Sequence, residues 1–315
     1  MGYDAVTLDR LAPETRERIA ASCFEAAAEG HPLYGRLTHR YYEAYFGPAQ
    51  EPHDAVVLRD GVPVLFMPLS GGEGKLSYFG EPARTFAVPA ATEPEAEAFA
   101  ALRALLGAAA ARFPSLWMVE NARFGGTVQK REQGEIAVTD LAATEAEIRS
   151  HLRKSYKSLV NWGLRNLELS LIDRDNPDYA AFCEMREFHR AVAGRATRSD
   201  QTWELQFEMI RAGESYAVLG RLAGRLVAAS LVSHGSRAAY YGVGIYDRAL
   251  MADGKPVGHA SVFRAILHAR SLGLREFMLG EVTATGEQKA DNIALFKKGF
   301  ATRVLAESRV EIGLP

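Results

Sequence analysis

A run of cationic residues able to hold a ligand lies between Thr144 and Asn166. A helix over this stretch sets Arg149, Arg153 and Lys157 at i, i+4 and i+8, on one face, with Lys154 and Arg165 flanking them. Leu152, Tyr156, Leu159 and Gly163 form the apolar side. Such a cationic stripe suits a phosphate-bearing partner; a solvated face paired with Glu145 or Glu168 has the same pattern. Other reactive groups are sparse. The histidines, at positions 31, 39, 53, 151, 189, 234, 259 and 268, show no metal-binding spacing. Cys23 and Cys183 form no zinc or redox motif and read as reduced, buried thiols. No metal or tightly bound cofactor is expected. There remain Glu120 and Glu281, each closing a short apolar strand, and Gly258-His259, which opens a helix. A helix start can hold an anion, although a solvated histidine there is the plainer reading.

Length and composition bound the setting. The 315 residues suggest about two domains, and 48% hydrophobic with 24% charged residues is an ordinary globular balance. A net charge of −2 argues against a protein that coats nucleic acid by bulk charge, while leaving room for a local basic patch. Met1 to Glu14 carries no apolar run, so no secretory leader is expected, and no stretch is long enough to span a membrane. A cytoplasmic location is the expectation.

The elements that must position these groups are written twice. Ala55 to Gly80 reads as strand, turn at Gly61, strand, glycine-rich turn, then Leu76-Ser77-Tyr78-Phe79-Gly80. Ala217 to Gly242 repeats the order, with turns at Gly224 and Gly235 and then Ala238-Ala239-Tyr240-Tyr241-Gly242. Gly224 follows Gly61 by 163 residues, Gly242 follows Gly80 by 162, and Glu281 follows Glu120 by 161. A near-constant offset argues for a duplicated fold. The expected helices are 12–34, 37–46, 93–112, 144–166, 177–192, 199–212, 258–272 and 291–298. The expected strands are 54–59, 62–69, 76–79, 116–120, 136–138, 168–172, 216–222, 225–234, 237–245, 276–279 and 301–312. This divides the chain into an N-terminal domain at 1–143, a linking basic helix at 144–166 and a C-terminal domain at 167–315.

The order helix, helix, antiparallel strands, helix, strand, helix, strand resembles the GNAT acyltransferase fold. Two fused copies resemble the FemAB-like aminoacyltransferases and the related BioF2-like acetyltransferases. Phe296-Lys297-Lys298-Gly299-Phe300 looks like the FKxxF signature of Fem-type enzymes. Leu152 to Asn161 resembles their basic segment, and Leu226-Val227-Ala228-Ala229 followed by Tyr240-Tyr241-Gly242 resembles their strand pair. The resemblance covers most of Thr144 to Ile312 and reaches the first half through the repeat. It implies an α/β (α+β), tandem GNAT-like (acyl-CoA N-acyltransferase) fold, with mixed central sheets flanked by helices.

It also implies a site. In this fold two parallel strands splay apart, here Arg237 to Ile245 and Glu276 to Leu279, with Tyr240, Tyr241 and Glu281 at the rim. Glu281 is then a candidate base for an acceptor amine, the alternative being a strand-end carboxylate satisfied by backbone N–H groups. Lys297 is a candidate for donor phosphate or the tetrahedral oxyanion, the alternative being an exposed lysine on an amphipathic turn. Tyr241 completes the catalytic set. Tyr240, Gly254, Lys255, Gly258, His259, Arg153, Lys154, Lys157 and Lys298 form the donor-binding set. No FKxxF-like run follows Glu120 within Asn121 to Gly134, so one active half is expected, the second. The GNAT pyrophosphate turn, Q/R-x-x-G-x-G/A, is imperfect here: Met251 stands where Arg or Gln belongs, and Pro256 removes an N–H.

The leading expectation is an enzyme that forms an amide by moving an acyl or aminoacyl group onto a small-molecule or peptide amine. By resemblance the donor co-substrate is aminoacyl-tRNA, gripped at its acceptor stem, or acyl-CoA. An acetyl-CoA-dependent N-acetyltransferase and a catalytically silent ligand- or partner-binding module stay open as alternatives. The acceptor and the oligomeric state lie beyond what the residues indicate.

Overall fold

The computed structural model describes residues 2–90 and 92–315. The chain forms two compact units, Met1–Gly134 with Ala306–Pro315, and Glu135–Leu305.

In the first unit, strands Tyr3–Thr7, Ala55–Arg59, Val62–Met67 and Phe86–Ala87 form an antiparallel sheet in that order. Helix Pro13–Gly30 packs on it through Ile19, Cys23, Phe24 and Ala27, buried residues at helical spacing. Its proline opens the helix where no N–H is required. Beside this sheet Ser115–Val119 pairs antiparallel with Arg309 to Gly313 and parallel with Lys75–Ser77.

The second unit is built around the order Glu168–Ile172, Ser215–Leu222, Arg225–His234, Ala238–Tyr246, Glu276–Glu281, ending on residues Ile136 to Asp140. Alternate residues of one strand point to opposite faces. Accordingly Ala217 and Leu219 pack under helices Tyr179–Ala193 and Asp200–Ala212. Tyr216 and Val218 join the core formed with helices Lys154–Asn166 and Val257–Ser271. Gly163 lets the latter two helices cross closely, its missing side chain replaced by Ala260.

The repeat appears in local geometry. Both first hairpins use a two-residue turn with positive φ at each position, Asp60-Gly61 at 52° and 79°, Ala223-Gly224 at 50° and 78°. That geometry matches strand twist and favours glycine second.

One expected helix is two. Thr144 caps Glu145–His151 through a reciprocal bond with Glu147, as its sequence suggests. The chain then turns extended at Leu152 and Arg153 before Lys154–Asn166 begins. Leu152 is buried, and Arg153 N–H donates to Gly299 O at 2.9 Å, which holds the break. The continuous stripe of Arg149, Arg153 and Lys157 is therefore interrupted. Three further differences stand out. Strand Tyr3–Thr7 and helix Arg248–Ala252 were not expected, and strand Thr127–Asp140 is far longer than 136–138. Its first seven residues are all exposed and carry no alternation to read.

Candidate active site

The site grows from an incomplete ladder. Strands Ala238–Tyr246 and Glu276–Glu281 run parallel but pair only at Ala238 with Glu276, Ala239 with Phe277, and Tyr240 with Met278. Past that rung both strands are irregular. Gly242 is an extra residue against Arg225–His234, and Leu279 is extra against Thr127–Asp140. A bulge bends its strand and ends pairing. The two strands part where sequence reasoning expects the cleft.

Gly280 sits at the parting with φ of +87°, a conformation glycine adopts without strain. A methyl group there would meet Tyr240 Oη at 2.9 Å and Lys297 Nζ at 3.2 Å. Those two polar groups therefore converge on bare backbone. Lys297 lies in the last turn of helix Gln288–Lys298 and donates to Glu281 O at 3.3 Å. Burial lowers its pKa from the usual lysine value, against the opposing pull of Glu281. A desolvated ammonium beside a glycine that carries no side chain can stabilise a carbonyl oxygen as it becomes negative.

Phe300 is fully buried, and the Phe296 and Phe300 rings lie 5.3 Å apart. They join Tyr156 and His259 in an aromatic cluster, with Tyr156 and His259 edge to face at 4.6 Å. This cluster anchors the helix that carries Lys297. His259 is thus a packing residue, its pKa pushed down to about 4 by burial against a weaker opposing bond to Pro256.

Glu281 Oε1 accepts from the N–H groups of Glu135 and Thr283, each at 3.2 Å, and from the Thr283 hydroxyl. That pattern ties strand ends together. Tyr241 does not join Tyr240 and Lys297. It points to the opposite face, is buried, and shares a hydrogen bond with Tyr246.

The donor-loop residues are internally engaged. The N–H groups of Asp253, Gly254, Lys255, Val257 and His259 donate to carbonyls of Ala249, Met251, Leu250, Lys255 and Pro256. Gly258 is buried against the Tyr246 ring. Gly254 and Lys255 are exposed, as are Arg153, Lys154 and Lys157 at the start of helix Lys154–Asn166. Among the described residues neither Lys154 nor Lys157 has a carboxylate partner, whereas Lys298 pairs with Glu135 at 2.8 Å. Arg149 instead packs over Phe263 and bonds Asn161. Sequence reasoning missed Gly280, Thr283 and Glu135. Only Gly280 left a signal, a glycine inside a strand pattern.

No protein-family model matches the sequence, and no curated protein does either. Solved structures do resemble the chain. FemX matches with a TM-score of 0.66 at 12% identity, over 98% of this chain and 97% of that one. The C-terminal domain of a putative lysylphosphatidylglycerol synthetase from Agrobacterium fabrum matches with a TM-score of 0.61 at 12% identity, over 94% and 92%. A tandem GNAT protein from the clavulanic acid biosynthesis pathway matches with a TM-score of 0.52 at 16% identity, over 99% and 98%. At such identities the likeness establishes the fold: a tandem GNAT-like architecture of the FemAB kind, the fold of GNAT-type transferases. Among the described residues no helix is long and apolar enough to cross a membrane, and no group of side chains is arranged to hold a metal.

Proposed function

We propose that this protein is an acyl- or aminoacyltransferase whose second unit forms an amide, passing a carbonyl to an amine in the cleft between Tyr240 and Gly280. The observation that carries this reading is the meeting of Lys297 Nζ and Tyr240 Oη at Gly280, where the parallel ladder has just ended. In this reading Lys297 steadies the tetrahedral oxyanion, and Tyr240 orients the carbonyl. Glu281 braces the strand end, since Oε1 already accepts three bonds. As the carbon–nitrogen bond forms, the donor's ester or thioester bond breaks, and the proton lost by the acceptor amine passes to the departing oxygen or sulfur, which leaves as an alcohol or thiol.

For the donor, aminoacyl-tRNA is favoured over acyl-CoA. The Asp253 to His259 turn spends its N–H groups on its own carbonyls, so few are left to cradle a pyrophosphate. Arg153, Lys154 and Lys157 offer exposed positive charge, which suits a polyanionic donor. Thiol release from acetyl-CoA with simple amines would favour acetyl transfer, and a requirement for charged tRNA would favour the proposal. Reversing Arg153 and Lys157 to Glu should raise the apparent donor constant about tenfold, roughly 1.4 kcal/mol. An unchanged constant would return these residues to a solvated face.

A further inference from the structure

Tyr241 and Tyr246 are five residues apart on one strand, which in an unbroken strand places them on opposite faces. Their hydroxyls nevertheless bond to each other. The extra residue at Gly242 makes this possible by shifting the alternation. Before it, Ala239 and Tyr241 face the core under helix Val257–Ser271. After it, Val243 and Ile245 face the other core, and Tyr246 returns to the first. We propose that the buried hydroxyl pair of Tyr241 and Tyr246 is a positioning device that locks this bulge and so keeps the cleft strands apart. The proposal rests on the reading of that cleft as the reactive site.

The pair is anchored on two sides. Ser230, on the neighbouring strand, lies close to both phenols and lowers their pKa values slightly against the effect of burial. Ser230 Oγ also donates to Ser261 Oγ at 3.3 Å, and Ser261 Oγ donates to Gly258 O at 3.0 Å. The two serines thereby tie the neighbouring strand to helix Val257–Ser271 alongside the phenol pair. Burial raises both phenol pKa values, so each hydroxyl keeps its proton and can donate. Two glycines clear the space. A side chain at Gly244 would strike both tyrosine hydroxyls, the Tyr246 one at 2.9 Å, and one at Gly258 would meet the Tyr246 ring at 2.9 Å.

Losing the bulge would put Tyr241 and Tyr246 on opposite faces and leave buried hydroxyls without partners, which is costly. The pair therefore holds the bulge in the strand, and the bend it makes ends the ladder at Tyr240.

Amide hydrogen exchange on the full chain tests this without any substrate. In Tyr246→Phe and Tyr241→Phe, exchange across residues 242–247 should accelerate tenfold or more, while other strands of the second unit keep their rates. Ser261→Ala, which removes an anchor at almost constant volume, should give a smaller effect in the same residues and serves if the tyrosine variants fold poorly. Unchanged exchange, or acceleration spread evenly through the unit, would overturn the proposal. In turnover assays the tyrosine variants should lower kcat with KM within about twofold. Local acceleration with unaffected kcat would keep the lock but sink the reading of the cleft as reactive.

Discussion

The two units carry the same parallel strand pair and finish it differently. In the second unit the ladder stops at Tyr240 and Met278, and the space beyond is bordered by Gly280 and Lys297. In the first unit the pair begins in the corresponding register, Lys75 with Ser115 and Leu76 with Leu116. The chain then folds back on itself. Tyr78 and Glu81 exchange backbone bonds of 2.8 and 2.9 Å, and Ala83 takes the place beside Ser115–Val119, bonding Trp117 O and Val119 N–H. The first unit fills with its own backbone the gap that the second leaves open.

In that register Ser77 corresponds to Tyr240 and Tyr78 to Tyr241; Tyr78 is buried, stacked on Tyr34 and donating to Leu33 O at 2.8 Å. A duplicated scaffold thus carries one open cleft and one that backbone pairing has closed. The difference lies in a few turn residues.

The largest expected effect separates the two clefts. Lys297→Ala should lower kcat by about 100- to 1000-fold, the usual loss when one oxyanion donor is removed. Tyr78→Phe should leave kcat within twofold and cost roughly 1 kcal/mol of stability for its buried bond, read from urea unfolding. Equal losses of activity would erase the distinction.

The next effect concerns stability against pH. His259 is depressed to about 4 by burial, so its contribution is present above the unfolded value near 6.5 and is lost as pH falls toward 4. The loss is at most about 3 kcal/mol. His39, in the first unit, behaves oppositely. Burial disfavours its charge, but Asp54, 3.2 Å from Nε2, and Glu43 outweigh it and raise the pKa. Its contribution is full below the unfolded value and is lost as pH rises through the folded one. Comparing unfolding free energies of His259→Phe and His39→Gln with the parent between pH 4.5 and 8 should show slope changes of opposite sign.

A smaller contrast lies between two glycines of positive φ. Gly280→Ala meets both Tyr240 and Lys297 and should cost about 2 to 3 kcal/mol with a fall in turnover. Gly80→Ala, at φ of +85° with nothing within 4 Å, should cost about 1 kcal/mol through backbone strain alone. Thermal midpoints and kcat together would reveal a failure of this ordering.

The duplicated hairpins were legible because they rest on patterns local to the chain, turn glycines and alternating apolar residues, whereas the parted strands and the choice of Lys297 came from the resemblance to the GNAT fold and its Fem-type members. The break at Leu152 was not legible, since it depends on a backbone bond to Gly299, far away in sequence. Tyr240 and Tyr241 are adjacent and alike, and only the pleat decides that Tyr240 reaches Gly280. Gly242 reads as an ordinary strand glycine until its register is known. The internally bonded Asp253 to His259 turn was half-visible, because Pro256 announced one missing N–H but not the engagement of the others.

The central claim is tested most directly by a crystal structure with a non-hydrolysable donor analogue bound. The account predicts the donor carbonyl between the parted strands of the second unit, its oxygen within hydrogen-bonding reach of Lys297 Nζ and beside Gly280. An analogue seated away from Gly280, or strands paired past Tyr240 with no room for it, would contradict the account.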